Sequence, residues 1–234
     1  MIYVDWDCNI LKIYETITQP IQNDVPDTLL YLRRNGIHRV CFTPTYFHTE
    51  MSVALFFVWR DMAYKTVEAL FPQDVSVRLE TSVMLAPNLH QCNSLKKLLL
   101  SKRHYLMLRM PQYYKEWMDY ELNRLLYHTK FNKLLFSSFE ICVAHYSEEQ
   151  LQRLMRIRYA AFQFSYASLA DPVVCRVIRE LLHQKQIVLL GSGISSVDHA
   201  QQFSLSEVLS RARNHLTDSE LERVLLQTKF FWTK

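Results

Sequence analysis

Short runs of apolar, often β-branched residues alternate along this chain with longer stretches whose apolar positions recur every three or four residues. The first pattern predicts buried strands and the second amphipathic helices laid against them. Strands are expected at residues 2–4, 39–42, 75–79, 105–108, 133–136, 160–164 and 187–190. Helices are expected at 24–35, 50–70, 113–128, 147–155, 171–184, 204–213 and 217–228. Local punctuation supports these assignments. Asp24 and Pro26 suit a helix start and Gly36 its end, Ser147 and Gln150 have capping-box spacing, and Asp171-Pro172 opens another helix.

Strands alternating with helices imply a parallel sheet, and right-handed crossovers can close such a sheet into a barrel. The expectation is an α/β fold, a distorted (β/α)7 TIM-like barrel, formed as a single domain over residues 1–234. In that architecture chemistry collects where strands end. The positions to inspect are therefore 5–9, 43–48, 80, 109, 137–140, 165–168 and 191–196.

Composition narrows the function classes. A hydrophobic content of 49% with 21% charged residues suits a globular domain, and the formal charge of +4 is spread along the chain. One dense basic cluster, Lys96, Lys97, Lys102 and Arg103, reads first as solvated surface and second as a site for an acidic partner. The modest charge argues against nucleic acid as the main partner. Five widely spaced cysteines without a CxxC argue against a disulfide framework or a zinc knuckle, and Cys41 and Cys142 read as buried thiols. An acidic N-terminal stretch unlike a signal peptide, and no apolar run of membrane-spanning length, make the cytoplasm the expected location, without a membrane span. With only three glycines, two of them in Gly191-Ser192-Gly193, a glycine-rich phosphate loop is excluded elsewhere. No G-x-S-x-G elbow occurs, and Cys8 with His48 is a weaker candidate for a nucleophile pair than for structural residues.

The strand ends carry an ordered series of motifs. Asp7-Cys8-Asn9-Ile10-Leu11, Thr43-Pro44-Thr45, Glu80, Tyr105-Leu106-Met107-Leu108-Arg109-Met110, Phe136-Ser137-Ser138-Phe139-Glu140, Phe162-Gln163-Phe164-Ser165-Tyr166-Ala167-Ser168-Leu169 and Gly191-Ser192-Gly193-Ile194-Ser195 follow one another. Over nearly the whole chain this series resembles the polymerase-and-histidinol-phosphatase (PHP) family, in the branch of bacterial protein-tyrosine phosphatases found with capsule and exopolysaccharide genes. The resemblance implies the barrel and two or three divalent metals (manganese, zinc or iron) that would activate water and clamp phosphate. It also places the family's metal-binding positions at Asp7, Asn9, Thr45, Glu80, Arg109, Ser137, Gly193 and Ser195.

Against that pattern this chain is degenerate. Only Glu80 keeps a family ligand, Asp7 could still donate an oxygen, and His48 is the remaining candidate beside them and Asp5. Arg109 has no lone pair to offer a metal and brings a positive charge where a cation would bind. It is expected either to pair with Glu80 or Asp7 or to point to solvent. The expectation is accordingly no bound metal and no intact catalytic set. A pseudoenzyme with a binding or regulatory role would follow, holding an anion through Arg109 and the loop at Ser192. By analogy the partner is the phosphotyrosine-bearing tail of a polysaccharide-assembly kinase, or another protein. The alternatives are a weak metal-dependent phosphatase with a rebuilt site and an RNA-processing scaffold; oligomeric state is left open.

Overall fold

The computed structural model describes residues 3–11, 24–100, 103–128 and 133–233. Ile2 of the expected first strand and Lys102 of the basic cluster lie outside the described residues. In chain order the elements are β1 (Tyr3–Cys8), α1 (Asp24–Arg34), β2 (Ile37–Phe42), β3 (Thr45–Tyr46), α2 (Val53–Glu68), β4 (Ser76–Leu79), β5 (Ser82–Met84), β6 (Leu106–Arg109), α3 (Trp117–His128), β7 (Leu134–Ser137), α4 (Glu140–His145), α5 (Glu148–Met155), β8 (Ala161–Ser165), α6 (Pro172–His183), β9 (Ile187–Gly191), α7 (Val197–Gln202), α8 (Leu205–Ala212) and α9 (Asp218–Thr233).

Every paired strand is parallel to its neighbour. Hydrogen bonding runs β1-β2-β4 in one sheet and β3-β5-β6-β7-β8-β9 in the other. β2 and β3 are one extended segment interrupted at Thr43-Pro44, and β4 and β5 are another interrupted at Glu80-Thr81. Pro44 has no N–H for a ladder, so the break falls there. Glu80 N still donates to Phe42 O (2.9 Å) and Ser82 N to Pro44 O (3.2 Å), which carries the pairing across the gap. The result is seven staves in chain order. Just past β9, Gly193 N donates to Asp7 O and Asn9 N to Ile194 O, both at 3.0 Å, so the last stave meets the first. The fold is α/β with a distorted TIM-like barrel.

Alternation along the staves makes two cores. Outward residues such as Val40, Phe42, Leu108 and Phe162 pack under the helices, for example against Leu29 and Phe56. Inward residues Val4, Trp6, Cys41, Met107, Leu135 and Leu189 fill the barrel together with Phe231 and Trp232 from the last turn of α9. Trp6 Nε1 donates to Thr228 O at 3.0 Å, and its ring meets Phe231 edge-on at 5.0 Å. Tertiary burial thus extends α9 past the expected end at Thr228. The expected caps form: Ser147 and Gln150 make the capping box of α5, Asp171 accepts from Val173 N at 2.7 Å at the start of α6, and Gly36 ends α1 at φ +80°. Among the described residues no helix is long and apolar enough to cross a membrane.

Candidate functional site at the strand ends

The C-terminal ends of the strands open into a cleft of about 780 Å³. Its floor is lined by Asp7, Asn9, Arg109, Ser138, Ser192 and Gly193, and its wall by Glu140, Ser165, Ser195, His199 and residues of α8 such as Glu207 and Arg211. Of the positions singled out in the sequence, Asp7, Asn9, Arg109, Ser192, Gly193 and Ser195 come together here.

Asp7 is the hub. Its carboxylate is buried, Oδ1 accepts from Thr43 Oγ1 at 2.7 Å, and Oδ2 accepts from Ser138 Oγ at 3.0 Å. Arg109 Nη2 donates to Asp7 Oδ1 in a short ion pair. The guanidinium also donates from Nε to Ser82 Oγ (3.1 Å) and from Nη1 to Ser138 Oγ (3.2 Å). Arg109 therefore turns inward to Asp7, not out to solvent. Such an arrangement suits a buried charge, because a charge removed from water is tolerated only with a partner and further hydrogen bonds.

Beneath Asp7 lies a second acid. Asp5 is fully buried, and its Oδ1 accepts from Ser192 N (2.6 Å) and Asp7 N (3.0 Å). Its Oδ2 is buried without a hydrogen-bond partner. Burial pushes its carboxyl up to about 6, outweighing the stabilising bonds from Ser192. Glu140 on the cleft wall accepts from Ser165 N at 3.2 Å, and burial raises its carboxyl too.

The remaining positions sit apart from this cleft. Thr45 is buried with its hydroxyl 2.9 Å from Ser82 Oγ, one step from Arg109. Glu80 is buried at the end of β4. Ser137 points away and donates to Leu108 O at 3.3 Å, while its neighbour Ser138 enters the cleft from a backbone with φ +51°. His48 Nδ1 is buried without a hydrogen-bond partner. The loop amides are occupied: Ser192 N by Asp5, Gly193 N by Asp7 O, and Ile194 N by Ser192 Oγ at 3.1 Å. Anion recognition here would rest on the remaining N–H groups of Arg109 and on side-chain hydroxyls. Ser82 was not among the expected positions, whereas Thr43, Ser138 and Glu140 fell within the strand-end stretches without being assigned a role.

These residues do not fit a divalent metal cluster. Both oxygens of Asp7 are engaged, Arg109 holds a cation's place beside it, and among the described residues no group of three His, Cys, Asp or Glu side chains is arranged to hold an ion.

No protein-family model matches this sequence, and no curated protein matches it either. Solved structures do share its fold. A chain from the crystal structures of YwqE from Bacillus subtilis and CpsB from Streptococcus pneumoniae, metal-dependent tyrosine phosphatases, superposes with a TM-score of 0.65 at 16% identity, covering 97% of this chain and 95% of that one. The phosphotriesterase homology protein from Escherichia coli, with phosphate in its active site, gives 0.57 at 8% identity, with 95% of each chain covered. Histidinol phosphate phosphatase from Lactococcus lactis gives 0.54 at 10% identity, with 91% and 93% covered. At these identities the likeness is one of fold: this chain has the TIM-like barrel of those hydrolases.

Proposed function

We propose that this chain is a PHP-family protein of the capsule-type tyrosine phosphatase branch that has lost its metal centre and works by binding, not by hydrolysis. The observation that carries this reading is the Arg109–Asp7 ion pair in the floor of the cleft. It fills with a guanidinium the space the motif series assigns to metals. The ordered strand-end motifs and the shared fold support the family, and a tyrosine-phosphorylated protein tail is the ligand the branch suggests.

The test is metal content. Purified protein is dialysed against trace manganese, zinc and iron and measured by inductively coupled plasma mass spectrometry beside an aryl phosphate assay. We expect folded protein with far less than one metal per chain and no metal-dependent turnover. Near-stoichiometric metal with turnover abolished by Glu80→Gln would overturn the reading in favour of a rebuilt phosphatase site.

A further inference from the structure

The barrel end opposite the cleft gathers three arginines. Arg39 on β2 pairs across the sheet with Val4, and Arg78 on β4 with Cys41; Val4 and Cys41 both face the barrel interior, so the two arginines do as well. The Arg78 guanidinium carbon lies 4.2 Å from the centre of the Trp232 ring, and that of Arg103 lies 4.9 Å from Phe231. Arg103 also donates to the carbonyls of Phe231 (3.3 Å) and Phe230 (2.5 Å) at the end of α9. Arg78 and Arg103 thus lie against the aromatic plug of the barrel mouth, and Arg39 faces the same interior from β2.

Among the described residues none of the three forms an ion pair with a carboxylate. Nη1 of Arg39 is buried with no hydrogen-bond partner. The end of α9 accounts for Arg103, whose charge and donors suit a helix C-terminus. It leaves Arg78 with the ring of Trp232 and does nothing for Arg39 Nη1. A buried N–H without an acceptor is costly, and like charges gathered at one mouth raise that cost.

We propose that this mouth binds a compact tetrahedral oxyanion, a phosphate ion or a terminal phosphomonoester, between Arg39 and Arg78 with Arg103 behind them. Guanidinium forks match such oxygens in pairs. The anion would supply the acceptor that Arg39 Nη1 lacks and offset the shared positive charge. This site is separate from the cleft and does not depend on the function proposed for it.

The test is calorimetric titration of the whole chain with inorganic phosphate, with chloride matched for ionic strength. Saturable binding with one site and a Kd on the order of 1 mM or tighter is expected. Arg39→Met should weaken it at least about tenfold, the loss of one charge-assisted contact. Arg124→Met, at an exposed arginine of α3 that belongs to neither site, should leave it unchanged. If Arg39→Met does not fold, Arg78→Lys, which keeps the charge but loses the fork, should still weaken binding several-fold. Absence of saturable binding overturns the site, as does unweakened binding in folded Arg39→Met. Glycerol phosphate in place of phosphate identifies the source: tighter binding assigns a phosphomonoester, weaker binding the free ion.

Discussion

At the strand ends Arg109 meets Asp7, Ser82 and Ser138; at the opposite mouth Arg78 and Arg103 meet aromatic rings, Arg103 also the last carbonyls of α9, and Arg39 Nη1 is buried without an acceptor. The residue type is the same and the surroundings are not. In the cleft the cation is neutralised within the protein and locked by three hydrogen bonds, so it acts first as structure. At the mouth no carboxylate among the described residues pairs with the charge, so it is available to something that arrives. An arginine at a strand end is thus not by itself an anion site. The partner that the fold supplies decides.

The largest effect should come from breaking the cleft pair. Arg109→Met would strand a buried Asp7 carboxylate and cost about 3–5 kcal/mol in urea denaturation, with most of the loss recovered when Asp7→Asn is added. A cost below about 1 kcal/mol would mean that the pair is not buried and that the two ends of the barrel do not differ as described.

A smaller loss should follow Gly191→Ala. A Cβ there would sit 2.6 Å from Asp7 N and 2.8 Å from Asp7 Cβ, wedging β9 away from β1 beneath the cleft. About 2–3 kcal/mol is expected, read from the same denaturation curves. A neutral result would show that the seam between the last and first staves is loose and that Asp7 does not depend on it.

The smallest effect concerns Asp5. Its folded carboxyl stands at about 6 against 3.8 when unfolded, so between those values the folded state holds a proton that the unfolded state has released. Stability from this group therefore falls as pH rises from about 4 through 6, and the penalty is complete above it. Asp5→Asn keeps the acceptor facing Ser192 N and Asp7 N while removing the charge. It should stabilise the protein by about 1–2 kcal/mol at pH 7.5 and by much less at pH 4.5. The same gain at both values would mean that folding does not raise the Asp5 carboxyl, and that it is ionised at pH 4.5 as it is at pH 7.5.

The staves were legible in the sequence because buried parallel strands concentrate apolar residues between turn signals, as at 39–42 and 187–190. The short helices α4 and α7 were not, since six residues are too few to show a helical period. In the site, strand-end position brought Asp7, Asn9, Arg109, Gly193 and Ser195 together on the page before the structure did. Within 137–140 the sequence pointed to Ser137 and not to Ser138, because a serine at φ +51° leaves no compositional trace, yet that backbone decides which of the two reaches the cleft. Ser82 escaped, and Thr43 drew no role within its strand end, because they serve Arg109 and Asp7 through contacts across the sheet that only pairing reveals.

The aromatic plug has a consequence for the order of assembly. The indole of Trp6 is bonded to Thr228, 222 residues away, and is covered by Phe231 and Trp232. The barrel interior thus stays open to water, with its first tryptophan bare, until the last helix has docked. Closure of so long a loop is slow, and intermediates with that interior exposed are prone to stick to one another. Quenching and recovery of tryptophan fluorescence during refolding should therefore report the final docking step, with the opening strand and the closing helix becoming native together.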